Sequence, residues 1–281
     1  MKKFEKFIIN DIQNLKQPTI YFWLKNNGFS ENYISHLRQN EMIKLNGVFT
    51  NIRSKIKVGD ILEISQNPNK KTEIKACEGK LDILFEDDDF LIVNKPHNLA
   101  CMPTRSHFSN NLGGQICAYM GEDFTLRVIN RLDRETAGIV VVAKNVIASN
   151  NITLDKEYHA ICHGILNESS TINVPILTIT NNGINQHKRV VDEKGKPSIT
   201  HVEPLKIFNN KTLLKLKLET GRTHQIRVHL SHINHPLVGD TLYGSNEPSH
   251  AFLLLKKVSF THFRTQEKIS LEVDYPSDWN L

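Results

Sequence analysis

The stretch from Arg127 to Lys144 reads RVINRLDRETAGIVVVAK, and it constrains the rest of the chain more than any other. Four β-branched residues stand in a row, Ile139, Val140, Val141 and Val142. Such side chains are stiff and pack well on a pleated surface. Because the run is continuous rather than alternating, it predicts a strand buried on both faces. A Thr136-Ala137-Gly138 turn is expected just before it. Upstream lies one carboxylate, Asp133, between Arg131 and Arg134. A polar segment leading into a core strand can hold a side chain rigidly and still leave it open to a ligand. From the residues alone, Asp133 is either such a functional carboxylate or half of an ion pair at a strand edge.

The length of 281 residues allows one large domain or two smaller ones. A hydrophobic content of 39% with 23% charged residues fits a globular protein with a sizeable core. No run approaches the roughly 18 apolar residues of a membrane span. No signal-peptide pattern opens the chain, so a cytoplasmic protein without membrane contact is expected. The four cysteines are scattered without a C-x-x-C, which argues against a zinc ribbon or a disulfide framework. Charge is uneven. Residues 1–75 hold 13 lysines and arginines against 7 acids, while the remainder holds 22 against 23. A basic surplus confined to one end points to polyanion binding there.

Residues 1–70 read as a separate domain. Ile20, Phe22, Trp23 and Leu24 have helical spacing, with Gly28 as the stop. Ser30 suits the N-cap of a second helix through Tyr33, Ile34 and Leu37. Met42 to Leu45 reads as a strand entering an Asn46-Gly47 turn, and Val58-Gly59-Asp60 turns into a strand over 61–64. This order resembles the S4-type RNA-binding module, with Glu31 where that family usually has a basic residue. The resemblance implies RNA contact through Arg38, Lys44, Arg53 and Lys55, with Lys57 nearby. A segment rich in Asn, Lys and Pro follows, and its second part, 71–80, is expected to be a flexible linker.

Residues 81–281 read as a second, α+β domain. Leu81 to Phe85 and Phe90 to Pro96 are two strands around an acidic turn, which lacks the glycine and closing glutamate of a calcium loop. A helix is expected around Gln115 to Met120 and another over 147–155. Lys156 to Gly164 reads as a strand, 165–200 as loop-rich, and Leu213 to Leu218 as a half-buried strand. Then come GRTHQIRVHL from Gly221 and HPLVGD from His235.

RLDRETAG with its apolar strand, K-x-Y-x-A at Lys156, GRTHQ at Gly221 and HAFLL at His250 resemble, in order, the signatures of the RluA-type pseudouridine synthases. The likeness spans nearly all of 81–281. It departs at Asn130 and Ala137, where many relatives carry His and Ser. It implies a pseudouridine synthase fold with a mixed, mostly antiparallel sheet, and isomerisation of uridine in structured RNA without a cofactor. Asp133 takes the role of nucleophile or charge stabiliser, acting on base or ribose. Arg222 is the expected cation beside Asp133, with Arg227 as competitor and a phosphate contact as the other option for either. Tyr158 packs near the base and needs a partner to act as a base itself. Arg131 fills the space left by the flipped uridine, and Arg134 and Arg227 complete the expected RNA contacts. The implied partner is RNA, most of all large-subunit ribosomal RNA, with transfer RNA next, and a monomer is expected. A retired scaffold that only binds RNA is the non-enzymatic alternative. His224, His229, His232 and His235 fall within twelve residues, but their spacing is not a common zinc pattern, and on a strand His224 and His229 point to opposite faces. No metal is expected.

Overall fold

The computed structural model describes residues 4–29, 31–38, 42–65, 74–103, 110–121, 124–180 and 187–280. The N-terminal unit comprises β1 (Phe4–Ile8), α1 (Ile20–Asn26), α2 (Glu31–Leu37), β2 (Ile43–Leu45), β3 (Val48–Phe49) and β4 (Ile61–Ser65). Its strands form an antiparallel sheet in the order β1-β4-β2-β3. The Asn46-Gly47 turn has φ of +52° and +82°, the left-handed pair that a tight hairpin between right-twisted strands requires. Asn46 also accepts a hydrogen bond from Ile61 N at 2.8 Å and donates to Asp60 at 3.0 Å, which ties the two predicted turns together. Ile20, Leu24 and Ile34 from the helices meet Leu62 and Ile64 of the sheet in a buried core. The predicted cap Ser30 lies outside the described residues.

The larger unit comprises β5 (Asp82–Glu86), β6 (Phe90–Lys95), α3 (Leu112–Met120), β7 (Ala137–Ala143), α4 (Val146–Asn150), β8 (Asp155–His163), β9 (Ser170–Asn173), β10 (Ile176–Thr180), β11 (His187–Val191), β12 (Ile199–Phe208), β13 (Lys211–Leu218), α5 (Gln225–His232), β14 (Leu253–Thr261) and β15 (Lys268–Glu272). A nine-stranded sheet runs β5-β6-β7-β14-β8-β13-β12-β9, with β15 pairing β14. Among the described strands only β7 and β14 pair in parallel, so the sheet is mixed and mostly antiparallel, as expected. All seven residues of β7 are buried, which follows from its position inside the sheet with β6 and β14 on either side. No helix among the described residues is long and apolar enough to cross a membrane.

Several expectations are corrected. Ala137 and Gly138 belong to β7 itself, and the turn lies one step earlier, at Arg134-Glu135. Gly138 has φ +113°, and a Cβ there would lie 2.3 Å from Leu255 O. The parallel neighbour passes too close for any side chain. Residues 165–200 contain β9, β10, β11 and the start of β12, short strands whose polar composition hid them. The segment Gln225–His232 is a helix rather than a strand continuation: β13 ends at Leu218, and a turned stretch over 219–224, left-handed at His224, leads into it.

Residues 74–80 do not behave as a free linker. Ile74 packs on the large core, and Cys77 N donates to Gly114 O at 3.1 Å. The two units also share a core, since Ile147 of α4 is fully buried among N-terminal residues. Arg264 completes the junction by pairing with Glu5 on one side and Asp89 on the other.

Candidate active site

The loop from Ile129 to Thr136 carries Asp133, and nearly every polar group around it is engaged. Asn130 imitates a strand peptide: its side chain donates to Ile139 O and accepts from Val141 N, both at 2.9 Å. That pairing fastens the loop to β7. Leu132 N points at Cys101 Sγ, 3.3 Å away, and Thr136 N closes back on Asp133 O at 3.1 Å. From beneath, Lys95 reaches up as the last residue of β6. Its Nζ donates to Pro96 O and Leu99 O at 2.9 Å and to Arg134 O at 3.1 Å. Lys95 is fully buried. Burial pulls its pKa down to about 8, against the opposing pull of Cys101 and Asp133.

The Asp133 carboxylate is about one-third exposed and faces a cavity of about 540 Å³. Arg131, Tyr158, Arg222 and His224 line the same cavity. Three segments distant in sequence therefore converge: the loop before β7, strand β8, and the β13–α5 turn. Arg131 and Arg134 are exposed beside it, and Arg134 lies 3.8 Å from Glu135. Tyr158 is buried on β8. Its desolvation, with the Asp133 charge adding to it, raises the phenol well above its ordinary range. Its hydroxyl has no hydrogen-bond partner among the described residues, so it enters the site as a neutral phenol.

The expected Asp133–Arg222 ion pair does not form among the described residues. Arg222 is exposed, and its Nε donates to Pro197 O at 3.3 Å. Among the described residues, the basic side chain nearest to Asp133 is His224, with Nε2 3.9 Å from the carboxylate. His224 has φ +57°, and its Nδ1 shares a hydrogen bond with the Tyr243 hydroxyl at 2.9 Å. Burial lowers its pKa, while Asp133 pulls the other way.

Arg227 lines the same cavity, but its closest acidic partner is Asp240 rather than Asp133. It is 4% exposed, and its guanidinium donates twice to Asp240 at 2.7 Å. A third contact reaches Glu135 at 3.1 Å. With Nε and Nη2 committed there, at most Nη1 is left for a phosphate. Arg227 instead holds Glu135, two residues from Asp133, in place. The four clustered histidines diverge: His229 bonds Thr200 and Val174 O, and His235 bonds His163 O. They form no common metal site among the described residues.

In the N-terminal unit Arg38, Arg53, Lys55 and Lys57 are exposed. Lys44 is half-buried, with its ammonium over the Phe4 and Phe49 rings at 4.5 and 4.7 Å. Glu31 is engaged by Lys25 at 2.8 Å and by the Tyr21 hydroxyl. Sequence reasoning missed two residues of the site. Lys95 was visible only as part of an Asn-Lys-Pro strand end, although a lysine closing so apolar a strand was a signal of burial. His224 was masked by the metal pattern of its neighbours.

The profile of the RNA pseudouridylate synthase family matches residues 89–232. Ribosomal large subunit pseudouridine synthase D of Haemophilus ducreyi is 35% identical over 227 residues, covering 77% of this chain and 69% of that protein. The uncharacterized RNA pseudouridine synthase YlyB of Bacillus subtilis is 30% identical over 273 residues, covering 90% of this chain and 88% of its own length. Among solved structures, human RNA pseudouridylate synthase domain containing 1 superposes with a TM-score of 0.57 at 27% identity, covering 69% of this chain and 83% of that one. With the family profile over half of its length and such relatives along most of it, the chain belongs to the RNA pseudouridylate synthases, of the RluA/RluD type.

Proposed function

We propose that the chain isomerises uridine to pseudouridine in large-subunit ribosomal RNA, with Asp133 as the catalytic carboxylate. One observation carries this reading: a single carboxylate, on a loop fixed from below, faces a cavity rimmed by Arg131 and Arg222 and walled by Tyr158. The target uridine turns out of its stack to reach that cavity. Unstacking costs a few kcal/mol, and the planar guanidinium of Arg131 offsets part of it by stacking in the gap. Asp133 attacks the base or the ribose. The N-glycosidic bond breaks, the base turns, and a carbon–carbon bond replaces it. One proton leaves the base carbon and one is gained at the freed nitrogen, so the reaction needs no redox partner. Arg222 swings from Pro197 to the carboxylate once RNA fills the site and excludes water.

The ribosomal assignment is supported by the name of the Haemophilus ducreyi relative. In this reading residues 1–70 form an S4-like RNA-binding domain. Arg38, Arg53 and Lys55 supply phosphate contacts there, and Lys44 a cation held over two rings. The enzyme acts as a monomer in the cytoplasm. The test is to assay wild type and Asp133→Asn on separate ribosomal and transfer RNA pools from a synthase-deficient bacterium. Product in ribosomal RNA from the wild type alone is expected. Equal product from both proteins would mean another residue does the chemistry, and product only in transfer RNA would overturn the substrate assignment.

A further inference from the structure

His97, His250 and Asp278 come from three separate segments: the turn after β6, the approach to β14, and the short 3-10 helix Ser277–Trp279. One ligand atom from each lies within 4.8 Å of the others. His250 Nε2 and the Asp278 carboxylate are 3.1 Å apart. The two imidazoles overlap, with ring centres 3.8 Å apart and planes tilted by 30°.

The hydrogen bonding fixes the chemistry of this cluster. His97 Nδ1 lies 3.1 Å from Glu135 O. A carbonyl oxygen only accepts, so Nδ1 carries the proton and Nε2 carries the lone pair. That Nε2 is buried without a hydrogen-bond partner, and so is His250 Nε2. His97 Nε2 is thus left without a partner beside the ion-paired His250 and Asp278. A ligating histidine typically donates its other ring N–H to a backbone carbonyl, and His97 does so.

We propose that His97, His250 and Asp278 bind one divalent transition-metal ion, zinc by preference. The ligands are two Nε2 atoms and one carboxylate oxygen. In a tetrahedral zinc site, bonds of about 2.0–2.1 Å set ligand atoms roughly 3.3 Å apart. The observed 3.1 Å between His250 and Asp278 fits that spacing, and binding requires the stacked His97 and His250 rings to separate so that their lone pairs converge on the ion. Two nitrogens and one oxygen suit zinc over calcium or magnesium, which take oxygen ligands. Asp278 is about half exposed and, with His97, borders a groove of about 530 Å³, which gives access and room for water as the fourth ligand. The ion clamps the C-terminal segment to the turn after β6. Through His97 the clamp reaches Glu135, two residues from Asp133. No step of the isomerisation passes through it.

The test titrates tag-free wild type, His97→Asn and Asp278→Asn with Co(II), then displaces it with Zn(II). Asparagine at 97 keeps a donor for Glu135 O and loses the ligand. One equivalent of cobalt with the intense visible absorption of a tetrahedral site is expected in the wild type, displaced by zinc. Each variant should bind at least about 100-fold more weakly. Asp278 is at the surface, so its variant reads the site even if the His97 variant misfolds. No tetrahedral band in the wild type would overturn the proposal. So would a band retained by Asp278→Asn, which would place the metal on other histidines or on the cysteines.

Discussion

Replacing Lys95 by Met should separate the two things this buried ammonium does. At neutral pH the substitution leaves the carbonyls of Pro96, Leu99 and Arg134 without their donor. Each orphaned group costs about 1–3 kcal/mol. Against this, the wild type suffers from burying a charge. Its pKa of about 8, set against the ordinary 10.5, corresponds to about 3 kcal/mol. Three such carbonyls total about 3–9 kcal/mol, so the net loss at pH 7 is about 0–6 kcal/mol, smaller than three lost bonds suggest. The pH dependence is more telling. Between about pH 8 and 10.5 the unfolded chain holds a proton on Lys95 that the folded chain has released, so wild-type stability rises with pH through that window. The Met variant lacks this gain. Urea denaturation of both proteins from pH 7 to 10.5 should show the gap widening by up to about 3 kcal/mol. Other titrating groups cancel in the difference. A gap that stays constant or narrows would refute the argument that burial sets the state of Lys95. Turnover should fall in the variant even where it is fully folded, because the Arg134 carbonyl holds the loop of Asp133.

The two arginines of the GRTHQIR segment should behave oppositely. Arg227→Gln strands the buried Asp240 carboxylate and should cost about 3–5 kcal/mol, whereas Arg222→Ala should change stability by less than about 0.5 kcal/mol while lowering turnover on RNA; denaturant melts beside kinetics check both. Asn130→Ala leaves Ile139 O and Val141 N unpaired and should cost about 2–6 kcal/mol, read by the same melts. Gly138→Ala drives a Cβ against the Leu255 backbone at an unfavourable φ and should cost at least about 3 kcal/mol; a melting temperature within a few degrees of wild type would contradict that close approach. Arg53→Ala with Lys55→Ala should lower the slope of log affinity against log salt by about 2 without changing which uridine is modified.

Local chemistry alone specified a good deal of this protein. Four β-branched residues in a row dictated that 139–142 would be a covered strand, and the adjoining polar segment placed Asp133 at its edge. The Asn46-Gly47 pair dictated a hairpin because few other residues accept its backbone angles. Motif order carried the family, since RLD, K-x-Y and GRTHQ keep their spacing wherever the chain goes. What the sequence could not express is who faces whom. Arg222 and Arg227 are five residues apart and chemically alike, yet one is exposed at the cavity rim and the other is committed to Asp240. That choice depends on the helix beginning after His224 and on a carboxylate delivered from a different segment. Lys95 acquires its role only because β6 and β7 are neighbours in the sheet, which brings Nζ under the Arg134 carbonyl 39 residues away. The His97–His250–Asp278 cluster is assembled from segments that no local pattern relates. Secondary structure follows from short-range sterics and periodicity, which the sequence records directly. Pairing, burial and proton affinity follow from long-range contacts, which exist only once the sheet has closed.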